Sequence, residues 1–213
     1  MKRQVIFYSR IILFILGFTG VYLEITRHGG FGMLLYYTVL SNIIVTAFTA
    51  YLLYLMPRSS SAWKTDKILR IKGGVTMCIM ITCVIYNFML APLATDFYRL
   101  ENFLCHYIVP LWFFADTLFF DKGRLYRWFD PLLWTSVPLL YMAFALLNGL
   151  ILKMPIPGAV DSPFAYFFLN IPKYGGAYVF RWVIIIFVAY LGAGFSLVGL
   201  KALPRPRKMN SIK

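Results

Sequence analysis

The chain has 213 residues, of which 61% are hydrophobic and 19% are aromatic. This composition excludes an ordinary water-soluble domain, in which apolar residues make up about half of the sequence. The formal net charge of +13 by itself suits a nucleic-acid-binding protein, but the basic residues lie mainly between apolar runs, as in membrane proteins, so we expect no nucleic-acid partner.

Six apolar runs are long enough to cross the hydrocarbon core of a bilayer, which takes about 20 helical residues. Their continuity excludes the alternating pattern of a membrane β-barrel. The sequence therefore predicts an all-α polytopic membrane protein, a single bundle of six transmembrane helices that leaves no room for a soluble domain. The predicted helices cover residues 7–23, 33–55, 73–93, 103–120, 131–151 and 178–200.

Lysine and arginine residues are distributed unequally over the two sides of this predicted bundle. Six crossings place both termini on one side, and 16 of the 21 basic residues fall on that side. By the positive-inside rule, it faces the cytoplasm. We therefore expect a multi-pass protein of the cell membrane with both termini in the cytoplasm and with residues 201–213 as a basic cytoplasmic tail.

Polar side chains recur one to two helical turns from the opposite boundary of the predicted membrane segments. The second helix carries Thr38, Ser41 and Asn42, whose i, i+3 and i+4 spacing places them on one face. Asn87 on the third helix and Asn148 on the fifth helix lie at a similar depth. Because ligand sites in helical bundles form between facing helices, we expect Ser41, Asn42, Asn87 and Asn148 to bind substrate in a shared pocket.

The fourth predicted helix contains His106, and an ionisable side chain inside a membrane segment indicates a functional site by default. Pro110 lacks the N–H that would pair with the backbone carbonyl of His106, so we expect an irregular helix there. Irregular backbone at membrane depth occurs where it lines a cavity. These two residues together predict a pocket at this level.

Thr38 and His106 are the predicted catalytic residues. A threonine hydroxyl is a weak nucleophile until a neighbouring base accepts its proton, and histidine is the usual base. A carboxylate that orients the imidazole would come from Glu24, Asp96 or Glu101. The structural alternative for the threonine is a hydrogen bond to its own helix or to a neighbouring one.

Other chemistry-bearing residues are assigned structural roles. Arg10 and Asp116 lie at matching depth near the cytoplasmic side, and we expect them to form an ion pair, with a proton or ion pathway through the aspartate as the alternative. Cys78, Cys83 and Cys105 have neither paired nor metal-binding spacing and are expected in the core. We expect no metal and no cofactor.

The connection between the fifth and sixth helices, residues 152–177, is the longest in the chain. Four prolines interrupt it, yet residues 164–169 are too apolar to extend into water. We therefore expect this connection to fold back over the predicted pocket as a lid.

Three short motifs stand out: Tyr-Tyr-Thr-Val-Leu-Ser-Asn at 36–42, Cys-His-Tyr-Ile-Val-Pro at 105–110, and Pro-Phe-Ala-Tyr-Phe-Phe-Leu-Asn at 163–170. Together with the hydropathy pattern they resemble the androgen-induced-gene family of six-pass membrane proteins, and in particular its bacterial relatives. Animal members of this family are threonine hydrolases that cleave fatty acid esters of hydroxy fatty acids with one threonine and one histidine on separate helices.

This resemblance implies an integral membrane hydrolase of lipid or fatty-acyl esters, with Thr38 as nucleophile and His106 as base. Two other classes stay open at this point. One is a proton-coupled small transporter or channel that uses His106 and Asp116, and the other is a non-catalytic lipid-binding membrane protein. The oligomeric state is not predicted.

Overall fold

The computed structural model of the chain describes residues 3–94 and 96–203. These residues form helices and turns without a strand, which confirms the predicted fold class. The predicted basic tail lies outside the described residues from position 204 onward. Six of the helices are long and apolar enough to cross a membrane: α1 Arg3–His28, α2 Tyr37–Arg58, α3 Asp66–Leu93, α4 Leu100–Phe120, α5 Asp130–Leu152 and α6 Gly176–Ala202.

The helices are longer than the predicted apolar runs where polar residues continue them. Helix α3 begins at Asp66 instead of position 73, because the hydroxyl of Thr65 accepts the N–H of Ile68 at 3.4 Å and caps the helix. Hydropathy alone does not predict this helix start, because four charged residues interrupt the added segment 66–72.

Helix α2 differs in the other direction, since it begins at Tyr37 and not at position 33. Gly29, with a φ of 151°, ends α1 in a turn, and a short 3-10 segment leads to Tyr36, which is extended with φ −90° and ψ 135°. Thr38 therefore lies in the first turn of α2. The prediction had placed it more than one turn inside this helix.

The bundle has two ends with different polar contents. The terminal end carries the start of α1 and the end of α6, while the pocket end carries the starts of α2 and α4 and the α5–α6 connection. Between them lies an apolar layer, which excludes water from the middle of the bundle. Its buried members are Leu13, Val45, Val75, Ile79, Val109 and Phe113.

Three helices widen into a π-turn near the pocket end: Tyr86–Leu90 in α3, Leu104–Ile108 in α4 and Asn148–Leu152 in α5. Single π-turns inside α-helices are frequent at functional sites. The π-turn of α4 contains His106 and ends shortly before Pro110, so the irregularity predicted at this place is confirmed.

The α5–α6 connection folds back onto the bundle, as predicted for a lid. Phe164, Phe168 and Leu169 are each 4% exposed, and they pack in one apolar cluster with residues of α2, α5 and α6. Gly149 of α5 contacts the ring of Phe164 so closely that a larger residue would collide with it. The connection is thus part of the core rather than a free loop.

The terminal end contains a buried ion network, termed the charge cluster, which comprises Arg10, Lys72, Asp116, Asp121 and Lys201. The predicted pair is confirmed: Arg10 Nε and Nη2 lie 3.1 Å and 3.0 Å from the two carboxylate oxygens of Asp116. Lys72 also pairs with Asp116 and lies 2.8 Å from Asp121. Lys201 donates to backbone carbonyls at the end of α4 and just beyond it.

Candidate functional site

The position of Thr38 in the first turn of α2 determines what its hydroxyl can contact. A threonine deeper in a helix often donates to the carbonyl four residues earlier, as Thr46 and Thr49 do at 2.8 Å. The residue four positions before Thr38 is Leu34, which precedes α2. The Thr38 hydroxyl therefore has no helical acceptor and points to His106 instead.

His106 is held in the orientation that a general base requires. Its Nε2 lies 3.3 Å from Thr38 Oγ1, and its Nδ1 lies 3.0 Å from the backbone carbonyl oxygen of Asn102. Because a carbonyl oxygen only accepts, Nδ1 carries the hydrogen of the neutral imidazole and Nε2 keeps its lone pair. The Thr38 hydroxyl then donates to Nε2. The contact is slightly longer than in a reacting complex, as is common before substrate binds.

The expectation of a carboxylate partner for His106 is wrong, because the Asn102 carbonyl occupies that place. Glu101 instead lies 2.7 Å from His28, and Asp96 is largely exposed. The His106 ring is fixed further by Tyr86, whose ring stacks on it with 3.6 Å between centroids and 22° between planes.

Ser41 and Asn42 lie directly behind Thr38, and both are fully buried. The Ser41 hydroxyl is 3.0 Å from the Thr38 carbonyl oxygen and 2.8 Å from the hydroxyl of Thr82. The Asn42 amide donates to the carbonyl oxygens of Thr38 at 2.8 Å and Cys105 at 3.0 Å. The two residues therefore tie the first turn of α2 to α3 and α4, next to the predicted site.

The structure does not bring Asn87 and Asn148 to Thr38. Asn87 is exposed and accepts a hydrogen bond from Tyr107 at 3.3 Å. Asn148 is buried, and its amide donates to the carbonyl oxygens of Met154 and Pro163 while its oxygen accepts the Met154 N–H. It therefore holds the α5–α6 connection against α5.

A polar cavity of about 830 Å³ lies above Thr38 and His106 and is bounded on one side by the α5–α6 connection. Its wall includes Glu24, a 5% exposed carboxylate, and Arg99. Near the rim, His28 Nε2 lies 2.7 Å from Arg99 Nη1. The wall thus offers charged groups of both signs to the polar part of a ligand.

Thr38 also borders a second, apolar space on its other side. This inner cavity of about 100 Å³ is lined by residues of α2, α3, α5, α6 and the lid. It adjoins a third space of about 410 Å³, the α3–α6 cavity, because Ile81, Ile85, Ile186 and Tyr190 line both. Thr38 consequently stands where a polar cavity meets an apolar one.

Tyr166 of the lid is a site residue that the sequence did not single out. It lines both cavities that border Thr38. Burial raises the pKa of Tyr166, and nearby polar groups of Thr38 and Tyr37 oppose that effect only in part, so the phenol keeps its proton at neutral pH.

No protein-family model, no curated protein and no solved structure matches the chain. The resemblance to the androgen-induced-gene family therefore stays a prediction, and a function has to rest on the geometry around Thr38 and His106.

Proposed function

We propose that this protein is an integral membrane hydrolase of lipid esters, with Thr38 as the nucleophile and His106 as the general base. The main support is the hydrogen-bond chain from the Asn102 carbonyl through the imidazole to the Thr38 hydroxyl. A second hydroxyl–imidazole contact of this kind is not found among the described residues. The chain ends between a polar and an apolar cavity, which suits an amphiphilic ester.

In the first half of the reaction, Thr38 Oγ1 forms a bond to the ester carbonyl carbon while its proton moves to His106 Nε2. The carbonyl π electrons move to the oxygen. The ester C–O bond then breaks, the leaving alkoxide takes the proton from Nε2, and an acyl-threonine remains. Water then attacks the acyl carbon while one of its protons moves to Nε2. The bond from this carbon to Oγ1 breaks, Oγ1 takes the proton from Nε2, and the carboxylic acid leaves.

The developing oxyanion has donors at the start of α2. The first N–H groups of a helix have no partner within it, and the helix dipole favours negative charge there. The N–H groups of Tyr37 and Thr38 are at this helix start, and Tyr166 lines the same cavities as Thr38. An ester oxygen at this helix start would accept from these N–H groups, and the Tyr166 hydroxyl would donate to it.

The proposal includes the membrane orientation. The basic residues on the terminal side support cytoplasmic termini in the cell membrane. The pocket end would then face the outside, with Thr38 in the first turn of α2 near that surface. Fatty acid esters of hydroxy fatty acids are the substrates that the family resemblance suggests.

The test is turnover of a fluorogenic fatty-acyl ester by purified protein in nanodiscs. We expect Thr38→Ala and His106→Ala each to lower kcat by about 10³-fold or more, since the pair acts as a unit. A serine hydrolase-type fluorophosphonate probe should label the wild type and not Thr38→Ala.

Thr49→Ala is the matched control, because this buried threonine of the same helix bonds, among the described residues, only to the backbone of its own helix. It should keep wild-type turnover and labelling. Wild-type turnover in both Thr38→Ala and His106→Ala would overturn the proposal.

A further inference from the structure

The two apolar cavities are neighbours beside α6, since Ile81, Ile85, Ile186 and Tyr190 line both. The inner cavity reaches from Thr38 to Tyr190, and the α3–α6 cavity continues to Leu200 near the terminal end. From Val183 to Leu200 the wall follows α6 for about 25 Å at the helical rise of about 1.5 Å per residue. Half of the hydrocarbon core of a bilayer is about 15 Å thick. Together the two cavities therefore extend along α6 for more than the thickness of one leaflet of acyl chains.

The wall of the two cavities is apolar nearly throughout. From Ala189 to Leu200 the α6 side of the wall includes Ala193, Ser196 and Leu197. The facing side is formed by methionine, isoleucine, valine and phenylalanine residues of α3. The hydroxyls of Tyr190 and Ser196 in this wall already donate to backbone carbonyls. The wall is otherwise mostly apolar, and it suits a hydrocarbon chain better than a headgroup or a peptide.

The α3–α6 cavity is open to the side. Val84 of α3 and Ile185 of α6 lie on its rim and are 46% and 49% exposed. Because both residues belong to membrane-spanning helices, this opening faces the acyl chains of the bilayer. A chain can thus enter from the membrane without crossing water.

We propose that the α3–α6 cavity and the inner cavity bind the acyl chain of the substrate, a single long unbranched chain that enters laterally between α3 and α6. Its carbonyl end lies at Thr38 and its methyl end points to the terminal end. This inference rests on the proposed hydrolase function for its substrate. The alcohol part of the ester occupies the polar cavity.

Ala189 and Ala193 set the chain length in this arrangement. They lie one helical turn, about 6 Å, apart along α6, and both contribute a methyl group to the wall. A phenylalanine at either position fills the space. The residue nearer to Thr38, Ala189, should stop shorter chains than Ala193 does.

The experiment measures kcat/KM for butyrate, octanoate, laurate and palmitate esters of one fluorogenic alcohol, with the full chain in nanodiscs. For the wild type we expect kcat/KM to rise with length, by up to about fourfold per buried methylene. Ala193→Phe should lower kcat/KM for palmitate at least about tenfold and leave butyrate and octanoate unchanged. Ala189→Phe should lower laurate as well.

Val188→Phe is the matched control, because Val188 is 61% exposed on α6 and lines none of the three cavities. It should keep the wild-type length profile. If Ala189→Phe and Ala193→Phe lower kcat/KM equally for butyrate and palmitate, or do not lower it for palmitate, acyl-chain binding in the α3–α6 cavity is overturned.

A binding measurement separates this inference from the proposed function. Diazirine-labelled palmitate is crosslinked to wild type and to the phenylalanine variants, and the labelled peptides are mapped. Labels at the facing sides of α3 and α6 that disappear in Ala189→Phe would support acyl-chain binding in the α3–α6 cavity. If no ester of any length is hydrolysed while these labels are found, the hydrolase proposal alone fails. Labels that spread over the lipid-facing surface would contradict acyl-chain binding in this cavity.

Discussion

The two ends of the bundle both bury polar side chains, but they satisfy them differently. In the charge cluster, the carboxylates of Asp116 and Asp121 are surrounded by the cationic groups of Arg10 and Lys72 at hydrogen-bonding distance. At the pocket end, polar groups face a cavity of about 830 Å³. Glu24 is a buried carboxylate in that wall.

This difference separates a structural network from a candidate site. Burial of a charge in a low-dielectric region costs several kcal/mol unless an opposite charge compensates it, and the charge cluster supplies that compensation within the protein. Polar groups that line a cavity can instead form hydrogen bonds or ion pairs with a ligand. The same residue types thus stabilise the fold at one end and can recognise a substrate at the other.

The largest expected effect comes from breaking the charge cluster. Asp116→Ala leaves Arg10 and Lys72 without their shared carboxylate, and we expect the free energy of unfolding to fall by about 3–5 kcal/mol. Thermal unfolding in detergent measures this loss. His106→Ala, which removes no charge partner, should unfold within a few degrees of the wild type.

A double variant distinguishes charge compensation from simple loss of packing. Asp116→Leu combined with Lys72→Met removes one charge of each sign, and Arg10 keeps Asp121 at 3.8 Å. Replacement of a buried ion pair by apolar residues is often neutral or stabilising. We expect most of the lost stability to return. A double variant as unstable as Asp116→Ala would contradict the view that charge balance dominates this cluster.

The next effect tests the pocket end. Tyr166→Phe removes a donor near the proposed oxyanion position, and removal of one such donor lowers kcat by about 10²-fold or more. Tyr126→Phe is the control at the other end, since its hydroxyl is buried and has no hydrogen-bond partner in the part of the chain that the structure describes. Burial raises the pKa of both phenols, so both are protonated at neutral pH and differ only in their surroundings.

In this test KM should change little, because the donor acts on the transition state. Equal kcat values for wild type and Tyr166→Phe would assign Tyr166 to the packing of the lid alone. A loss of the same size in Tyr126→Phe would point to general destabilisation instead of catalysis.

Sequence patterns predicted the helices and the depth of polar residues, but not the rotation of each helix about its axis. Thr38 and His106 share a layer by depth, and the structure has them in contact. Asn87 lies in the same layer by depth but on an exposed face of α3. Hydropathy that is high all around a helix does not specify which face is buried, so this difference could not be predicted.

Two other site features have no signature in the sequence. The Asn102 carbonyl that orients His106 is a backbone group, which every residue has. The place of Tyr166 depends on the path of the lid, and its neighbours Phe164, Phe167 and Phe168 have similar sequence character. The prolines of this connection predicted a fold-back but not which aromatic residue reaches Thr38.

The smallest effect separates burial from charge at the terminal end itself. Lys122 pairs with Asp66, and both side chains are more than half exposed, so water screens their attraction and the pair should contribute less than about 1 kcal/mol. Lys122→Ala should therefore lower the melting temperature by a few degrees at most.

Lys72 carries the same charge as Lys122 but is fully buried. Its replacement by alanine should destabilise the protein strongly. Similar losses for the two lysines would mean that charge number, and not burial, explains the stability of this end.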